Sequence, residues 1–409
     1  SIRHILPNPN QADPNGIALY VHFPFCSKIC GYCDFHKEIL DRRKERVFFE
    51  ALALETDLAA EEYISSLSLD SGSDKAESQP EKPALASLYI GGGTPSLADP
   101  DLFAAWIARL GRYFELTDET EFTVELNPES SHKDNLENFR QLGVNRISIG
   151  VQSFDRQALS DLDRLHKVHD TLRVFYLARA LGFEDFSADV MFGYQRQTLN
   201  ALISDLTQLI ELEPTHVSFY QLTVKENTPL AAQVSSGAVR LPESDTMAVF
   251  YRAGVDFLSE HGYSRYEISS FAKDGHIGKH NSRYWTGLPY LALGPGAHGF
   301  NGIDRYQIAP DTAEYTRSLL ERGSRPLIWD RLTPRKRMIE DIMLSLRMTR
   351  GIDKREFSNR HGSPVTDALD KSEFARLVES GYVVPDGAFI RLSDEAFALA
   401  DEIIARLIA

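Results

Sequence analysis

Cys26, Cys30 and Cys33 are the only cysteines in this 409-residue chain, and they form a single C-x3-C-x2-C run. Three thiols cannot pair off as disulfides, and no fourth exists to complete an all-cysteine tetrahedral site. A metal or cluster that takes four ligands would keep one position open on this loop, as reactive centres do. Two occupants satisfy the spacing. His36 lies just beyond Cys33 and would complete a zinc site of three cysteines and one histidine. An iron–sulfur cluster on the three thiolates would instead leave one iron free to chelate a small molecule.

Further polar groups recur downstream in apolar surroundings. Gly91-Gly92-Gly93-Thr94-Pro95 follows the apolar run Ser87–Ile90, and consecutive glycines there let backbone amides approach a ligand closely. The run is neither G-x-G-x-x-G nor a P-loop, so no dinucleotide or triphosphate site is indicated. Glu125, Gln152 and Asp189 stand in or at the ends of later apolar runs, with Arg164 between two of them. Burying such groups is unfavourable unless they are paired. Several at one rim point to a polar ligand with amino, carboxylate and ribose groups.

These residues need a scaffold that gathers them. Ile17–Phe23 predicts a buried strand that runs straight into the cysteine loop. Strands are expected at Ser87–Ile90, Phe122–Leu126, Arg146–Val151, Phe186–Met191 and His216–Leu222. Helical patterns at Asp41–Ile64, Asp101–Tyr113, Asn135–Leu142, Asp170–Leu181 and Leu199–Leu212 alternate with them. Such alternation makes an α/β protein with a parallel sheet covered on both faces. Six strands are too few for a closed eight-stranded barrel, so an open or partial barrel is expected, with its chemistry at the carboxyl ends of the strands.

The remaining segments divide the chain. Residues 1–16 form a polar lead-in, and 17–235 the barrel core, interrupted at 68–84 by a Ser-, Asp- and Pro-rich stretch expected to be a mobile loop. Residues 236–330 open with a helix from Ser244 to His261 and continue as short aromatic- and glycine-rich segments. Residues 331–409 form a small C-terminal unit. Thr333-Pro334 starts a helix there that Gly351 closes, and helices near Lys371–Glu379 and from Ser393 flank a hairpin at Pro385-Asp386-Gly387, a winged-helix-like pattern. Net charge is −15, with 43% hydrophobic and 25% charged residues, as in soluble globular chains and against a general nucleic-acid binder. The basic residues Arg331, Arg335, Lys336, Arg337, Arg347 and Arg350 are accordingly read as a solvated face. Neither a transmembrane run nor an export signal is seen, and with reduced cysteines the cytosol is the expected compartment.

YVHFPFCSKICGYCDF resembles the cluster loop of radical S-adenosylmethionine (SAM) enzymes, in the branch of the anaerobic coproporphyrinogen III oxidases. The likeness continues in order through GGGTPS, VELNP, RISIGVQSF, DRLH, SADVMFG, HVSFYQLTVKENTPL, YEISSFA, KHNSRYW and LGPGAH. It implies a (β/α)6 partial barrel with a [4Fe-4S] cluster on Cys26, Cys30 and Cys33, and SAM chelated to the open iron. By position it implies Tyr20 and the backbone at Tyr32 beside cluster and SAM. It also implies Gly92, Gly93 and Thr94 at the SAM amino group, Glu125 at its ribose, and Gln152, Arg164 and Asp189 elsewhere in that site. The implied chemistry is reductive cleavage of the sulfonium to methionine and a 5′-deoxyadenosyl radical, fed by a donor such as flavodoxin or ferredoxin.

Two functions compete within the branch. The oxidases carry a further cysteine two residues after the third, where this chain has Phe35, as heme-chaperone members do. Those members also carry H-N-x-x-Y-W, present here from His280 to Trp285. The resemblance therefore implies heme as a ligand, with His280 a candidate for its iron, and an acceptor protein for the heme. Coproporphyrinogen dehydrogenation is the alternative, and a satisfied histidine in an aromatic patch the plain reading of His280. Two departures stand out: Gly193-Tyr194-Gln195-Arg196-Gln197 where the branch has G-L-P-G-Q, and Ser270 where it has Asn. The first bears on the efficiency of SAM cleavage more than on binding.

Overall fold

In the computed structural model, residues 16–70 and 82–408 are described. The lead-in 1–15 and the centre of the expected loop, 71–81, lie outside the described residues.

The first strand, β1 (Ile17–Phe23), sets the pattern for the sheet. Ile17, Leu19, Val21 and Phe23 enter the main hydrophobic core, while Tyr20 and His22 alternate with them on the other face and bond to each other. Five further strands follow: β2 (Leu85–Gly92), β3 (Glu121–Leu126), β4 (Arg146–Gln152), β5 (Asp185–Phe192) and β6 (His216–Gln221). The helices between them are α1 (Arg42–Asp70), α2 (Pro100–Leu110), α3 (Lys133–Gln141), α4 (Arg156–Asp161), α5 (Val168–Ala180) and α6 (Leu199–Glu211). Neighbouring strands from β1 to β6 all pair in parallel, as expected of right-handed crossovers through these helices. Side-chain caps fix several starts; Asp99, for instance, accepts the amides of Asp101 and Leu102 at α2. Helix α1 continues to Asp70, so Ser68–Asp70 are helical rather than part of the loop.

The extension adds α7 (Pro229–Ser235), α8 (Ser244–Glu260), β7 (Ser264–Glu267), β8 (Ser270–Ala272), α9 (Lys279–Thr286), β9 (Tyr290–Leu293), β10 (His298–Phe300), β11 (Arg305–Ile308), α10 (Thr312–Arg322) and β12 (Leu327–Asp330). Its strands continue the same sheet, in the order β12-β11-β10-β9-β1-β2-β3-β4-β5-β6-β8-β7. β9 pairs in parallel with the free side of β1, giving a seventh parallel strand. The edges β12 and β7 do not pair, so the barrel stays open.

The C-terminal unit holds α11 (Pro334–Ser345), β13 (Ile352–Asp353), α12 (Lys354–His361), α13 (Lys371–Glu379), β14 (Val383–Asp386), β15 (Phe389–Leu392) and α14 (Ala400–Ile408). Thr333 caps α11 as expected, but the helix ends at Ser345, and Gly351 (φ 73°) closes a later turn. The hairpin β14–β15 forms around Gly387. The last helix begins at Ala400, after a 3-10 turn from Glu395 to Leu399. The basic residues here are largely satisfied within the fold: Arg331 pairs with Asp304, Arg347 with Asp401 and Arg350 with Glu356, while Arg335 and Arg337 bond backbone carbonyls. No helix among the described residues is long and apolar enough to cross a membrane.

Helix α9 closes the amino-terminal end of the barrel. The amides of Lys279 and His280 donate to Glu121, the first residue of β3, at 2.7 and 2.8 Å. Inside, the His280 ring bonds Ser87 Oγ through Nδ1 (2.8 Å) and Tyr284 OH through Nε2 (2.7 Å), and it stacks on Tyr89. The side chain is 1% exposed, and burial, with Arg283 nearby, pushes its pKa down to about 3. Both ring nitrogens are thus taken, inside the fold, and His280 is not placed where an external heme iron could reach it. His280→Ala should instead cost roughly 2–4 kcal/mol of stability, because it leaves a cavity and strands two buried hydroxyls. Chemical denaturation measures this.

Candidate functional site

The cleft lies at the carboxyl end of the parallel strands, opposite α9. β1 ends at Phe23, and after Pro24 the short run Phe25–Cys26 pairs in parallel with Glu38–Ile39, which clamps both ends of the cysteine loop. Cys26 is buried, while Cys30 and Cys33 are partly exposed. A turn from the Cys30 carbonyl to the Cys33 amide (3.3 Å) shapes the loop, and Lys37 Nζ donates to the Cys33 carbonyl. All three thiols line one cavity of about 170 Å³. Burial pushes the Cys26 thiol up to about 11 and raises that of Cys33.

The glycine run lies directly under this loop. The amides of Gly93 and Thr94 donate to the carbonyls of Phe23 (2.7 Å) and Phe25 (2.8 Å). A Cβ on Gly93 would sit 2.6 Å from the Phe25 oxygen, and one on Gly92 (φ 107°) 2.5 Å from the His22 ring. The close approach that demands glycine is therefore to the protein's own chain, and it welds β2 to the cysteine loop. Gly92, Gly93 and Thr94 nevertheless line the cavity.

Alternation along the strands delivers the other polar side chains to the same space. Glu125 accepts Tyr89 OH (2.8 Å) and the Gly92 amide (3.1 Å). Asp189 accepts Ser148 OH at 3.1 Å. Burial pushes Glu125 up to about 7, with Asp189 adding repulsion, and Asp189 up to about 6. Gln152 sits in the left-handed region (φ 64°) where the β4–β5 register shifts, and its Oε1 accepts Tyr220 OH (2.8 Å). Such strain in a non-glycine residue collects at functional sites. Buried Asp205 on α6 holds the next turn by accepting Ser153 OH (2.6 Å) and the Phe154 amide (2.8 Å).

Arg164 ties the two halves of the cleft together. Its Nη1 donates to Cys30 Sγ (3.6 Å) and its Nη2 to Asn127 Oδ1 (2.6 Å), while its buried Nε has no partner among the described residues. An orphaned guanidinium nitrogen on the same cavity lining as the carboxyls of Glu125 and Asp189 suits a ligand with a carboxylate, an amine and hydroxyls. Tyr32, Gly92, Gly93, Thr94, Glu125, Gln152, Arg164 and Asp189 are thus gathered with the cysteines in one cavity. Tyr20 is not. It lies deeper in the lumen, donating to His22 Nδ1 (3.0 Å) and stacking on Tyr89. Asn127, Ser148 and Tyr220 were not singled out as ligand-facing residues, yet they line the cavity. For Tyr220, the period-two pattern His216, Ser218, Tyr220 was the available signal.

The histidine of the zinc arrangement lies apart from the three thiols. His36 does not line the cysteine cavity; its Nε2 bonds Thr312 Oγ1 (2.9 Å) on α10. No three His, Cys, Asp or Glu side chains among the described residues converge on a single-ion site. The departures in the loop after β5 are absorbed locally. Gln197 accepts the Gly193 amide (2.6 Å), and Arg196 (φ 63°) holds the left-handed position against Asp161 at 2.6 Å.

The radical SAM superfamily model matches residues 20–209, and the HemN C-terminal domain model residues 332–399. The chain is 31% identical over 385 residues to the heme chaperone HemW of Bacillus subtilis, covering 94% of this chain and 97% of that one. It is 32% identical over 405 residues to the mitochondrial radical S-adenosyl methionine domain-containing protein 1 of Danio rerio, covering 96% and 86%. The structure of coproporphyrinogen III oxidase (HemN) from Escherichia coli superposes with a TM-score of 0.80 across 100% of this chain and 92% of that one; at 21% identity this is a likeness of fold. The chain belongs to the radical SAM superfamily, in the family of the heme chaperone HemW.

Proposed function

We propose that this chain is a heme chaperone that holds a [4Fe-4S] cluster on Cys26, Cys30 and Cys33, binds SAM beside it, and passes heme to an acceptor protein. The observation that carries the reading is the shared cavity, in which three thiols face Glu125, Gln152, Arg164 and Asp189. Arg164 would take the SAM carboxylate, and Glu125 the ribose hydroxyls. Asp189 and Gln152 would take the remaining polar groups, while Gly92, Gly93 and Thr94 flank the amine. When bound, cluster and SAM would supply one-electron reductive chemistry, with the electron from a donor such as flavodoxin or ferredoxin. The protein's part is to orient the sulfonium and keep water from it. Phe35, 63% exposed, stands where an oxidase would offer a fourth thiol, which favours heme handling over porphyrin oxidation. We place the barrel at 17–235, its extension at 236–330, the C-terminal unit at 331–409, and the protein in the reducing cytosol.

Anaerobically reconstituted protein, given SAM, a reductant and coproporphyrinogen III, should form no protoporphyrinogen at useful turnover, while the same sample binds hemin stoichiometrically. Sustained decarboxylation would assign it to the oxidases instead.

A further inference from the structure

A second concavity lies on the outer side of the cysteine loop. It is an open groove of about 520 Å³ between the Glu38 edge, the start of α1 and the start of α10. Val47, Pro310 and Ala313 give it apolar walls, and Arg43 and Lys44 stand on them. Exposed Ile39, on the Glu38–Ile39 edge, extends the apolar surface nearby. His36 lines the groove too, and it differs from His280 in the respect that matters. Only its Nε2 is engaged, by the single hydroxyl of Thr312, which leaves one ring nitrogen without a protein partner among the described residues.

The two acids on the wall are already occupied. Glu38 pairs with Lys44 at 2.5 Å, and Asp311 caps α10 by accepting the Glu314 amide (2.9 Å). Arg43 has no carboxylate within ion-pair distance among the described residues. A planar apolar ligand with a metal at its centre and a carboxylate at its edge matches this combination of apolar walls, one imidazole and one cation free of a carboxylate. The larger hollow beside the C-terminal unit, about 740 Å³ and walled by Phe192, Trp285 and Phe397, has neither histidine nor cysteine on its lining.

We propose that this groove is the heme site, with His36 as an axial ligand to the iron and Arg43 pairing with a propionate. The assignment rests on the heme-chaperone reading and names where that cargo sits. The groove is joined to the cluster loop by backbone: the Glu38 amide donates to the Pro24 carbonyl (2.8 Å) and the Leu40 amide to the Cys26 carbonyl (2.9 Å). A state of the cluster that moved Cys26 would therefore move one wall of the groove.

Hemin titration of the full chain, followed by Soret absorbance, tests the site. Wild type should bind; His36→Ala should weaken binding at least tenfold and shift the band, and His36→Met should retain binding with an altered spectrum. Arg43→Glu, on the surface, should weaken hemin more than its dimethyl ester. Iron and sulfide content should be unchanged in every variant. Wild-type affinity and spectrum in His36→Ala, or equal losses for hemin and its ester in the charge-reversed variant, would overturn the site and leave the chaperone reading intact. Failure of the wild type to bind hemin would overturn both.

Discussion

Cys30→Ser is expected to leave anaerobic reconstitution without the broad visible absorbance of an iron–sulfur cluster, and with iron and sulfide near background. A serine hydroxyl stays protonated at neutral pH where a thiolate ligates readily, so the substitution removes one of three ligands in a set with no reserve. Among the three cysteines this is the cleanest test. Cys26 is buried, and a hydroxyl there would also disturb packing between β1 and the glycine run. Cys30 is partly exposed, and its thiol accepts a hydrogen bond from Arg164 at 3.6 Å. Far-ultraviolet circular dichroism and the denaturation midpoint should therefore match cluster-free wild type within about 0.5 kcal/mol, as for surface substitutions. A retained cluster would refute the ligand set. Hemin binding at His36 should survive, because the groove is walled by residues outside the thiol set.

The parts of this architecture that repeat were legible, and those that depend on which face of an element meets its neighbour were not. β1 to β6 announce themselves through apolar runs separated by helix-length spacers. Glu125, Gln152 and Asp189 were conspicuous because charge in such runs needs a reason. β9 went unread because Tyr290–Leu293 is a four-residue buried run between glycines, too short to show a period. Where the side chains of Tyr20 and His36 point was not legible for a related reason. Proximity in sequence to a cysteine loop does not say whether a side chain enters the cleft, the lumen beneath it or the outer groove. Strand parity sends Tyr20 inward to His22, and the Cys26–Ile39 ladder turns His36 toward α10. His280 was conspicuous by its motif, but only packing reveals that Ser87 and Tyr284 already hold both of its nitrogens.

Glu125→Gln should move stability and SAM binding in opposite directions. In the folded state burial pushes Glu125 up to about 7, and Asp189 across the cleft adds to the shift while itself rising to about 6. Both values lie above those of an unfolded chain, so the folded protein holds more protons between about pH 4 and 7. Stability from these groups is therefore present at low pH and lost as pH rises through that window. For Glu125 the loss by pH 8 is bounded at about 3 kcal/mol. The actual figure is smaller, because one edge of the carboxyl faces the open cleft. Glutamine keeps an acceptor for the Gly92 amide and cannot ionise, so the variant should gain stability at pH 8, gain little at pH 5, and flatten the pH profile. SAM affinity at pH 8 should fall about tenfold or more, since there a charged acceptor for two ribose hydroxyls becomes a neutral one with a donor on one side. Calorimetric titration of SAM, paired with urea midpoints at pH 5 and 8, reads both effects. Undiminished SAM affinity would remove Glu125 from the ribose site, and a pH profile as steep as wild type would show that another acid carries the linkage.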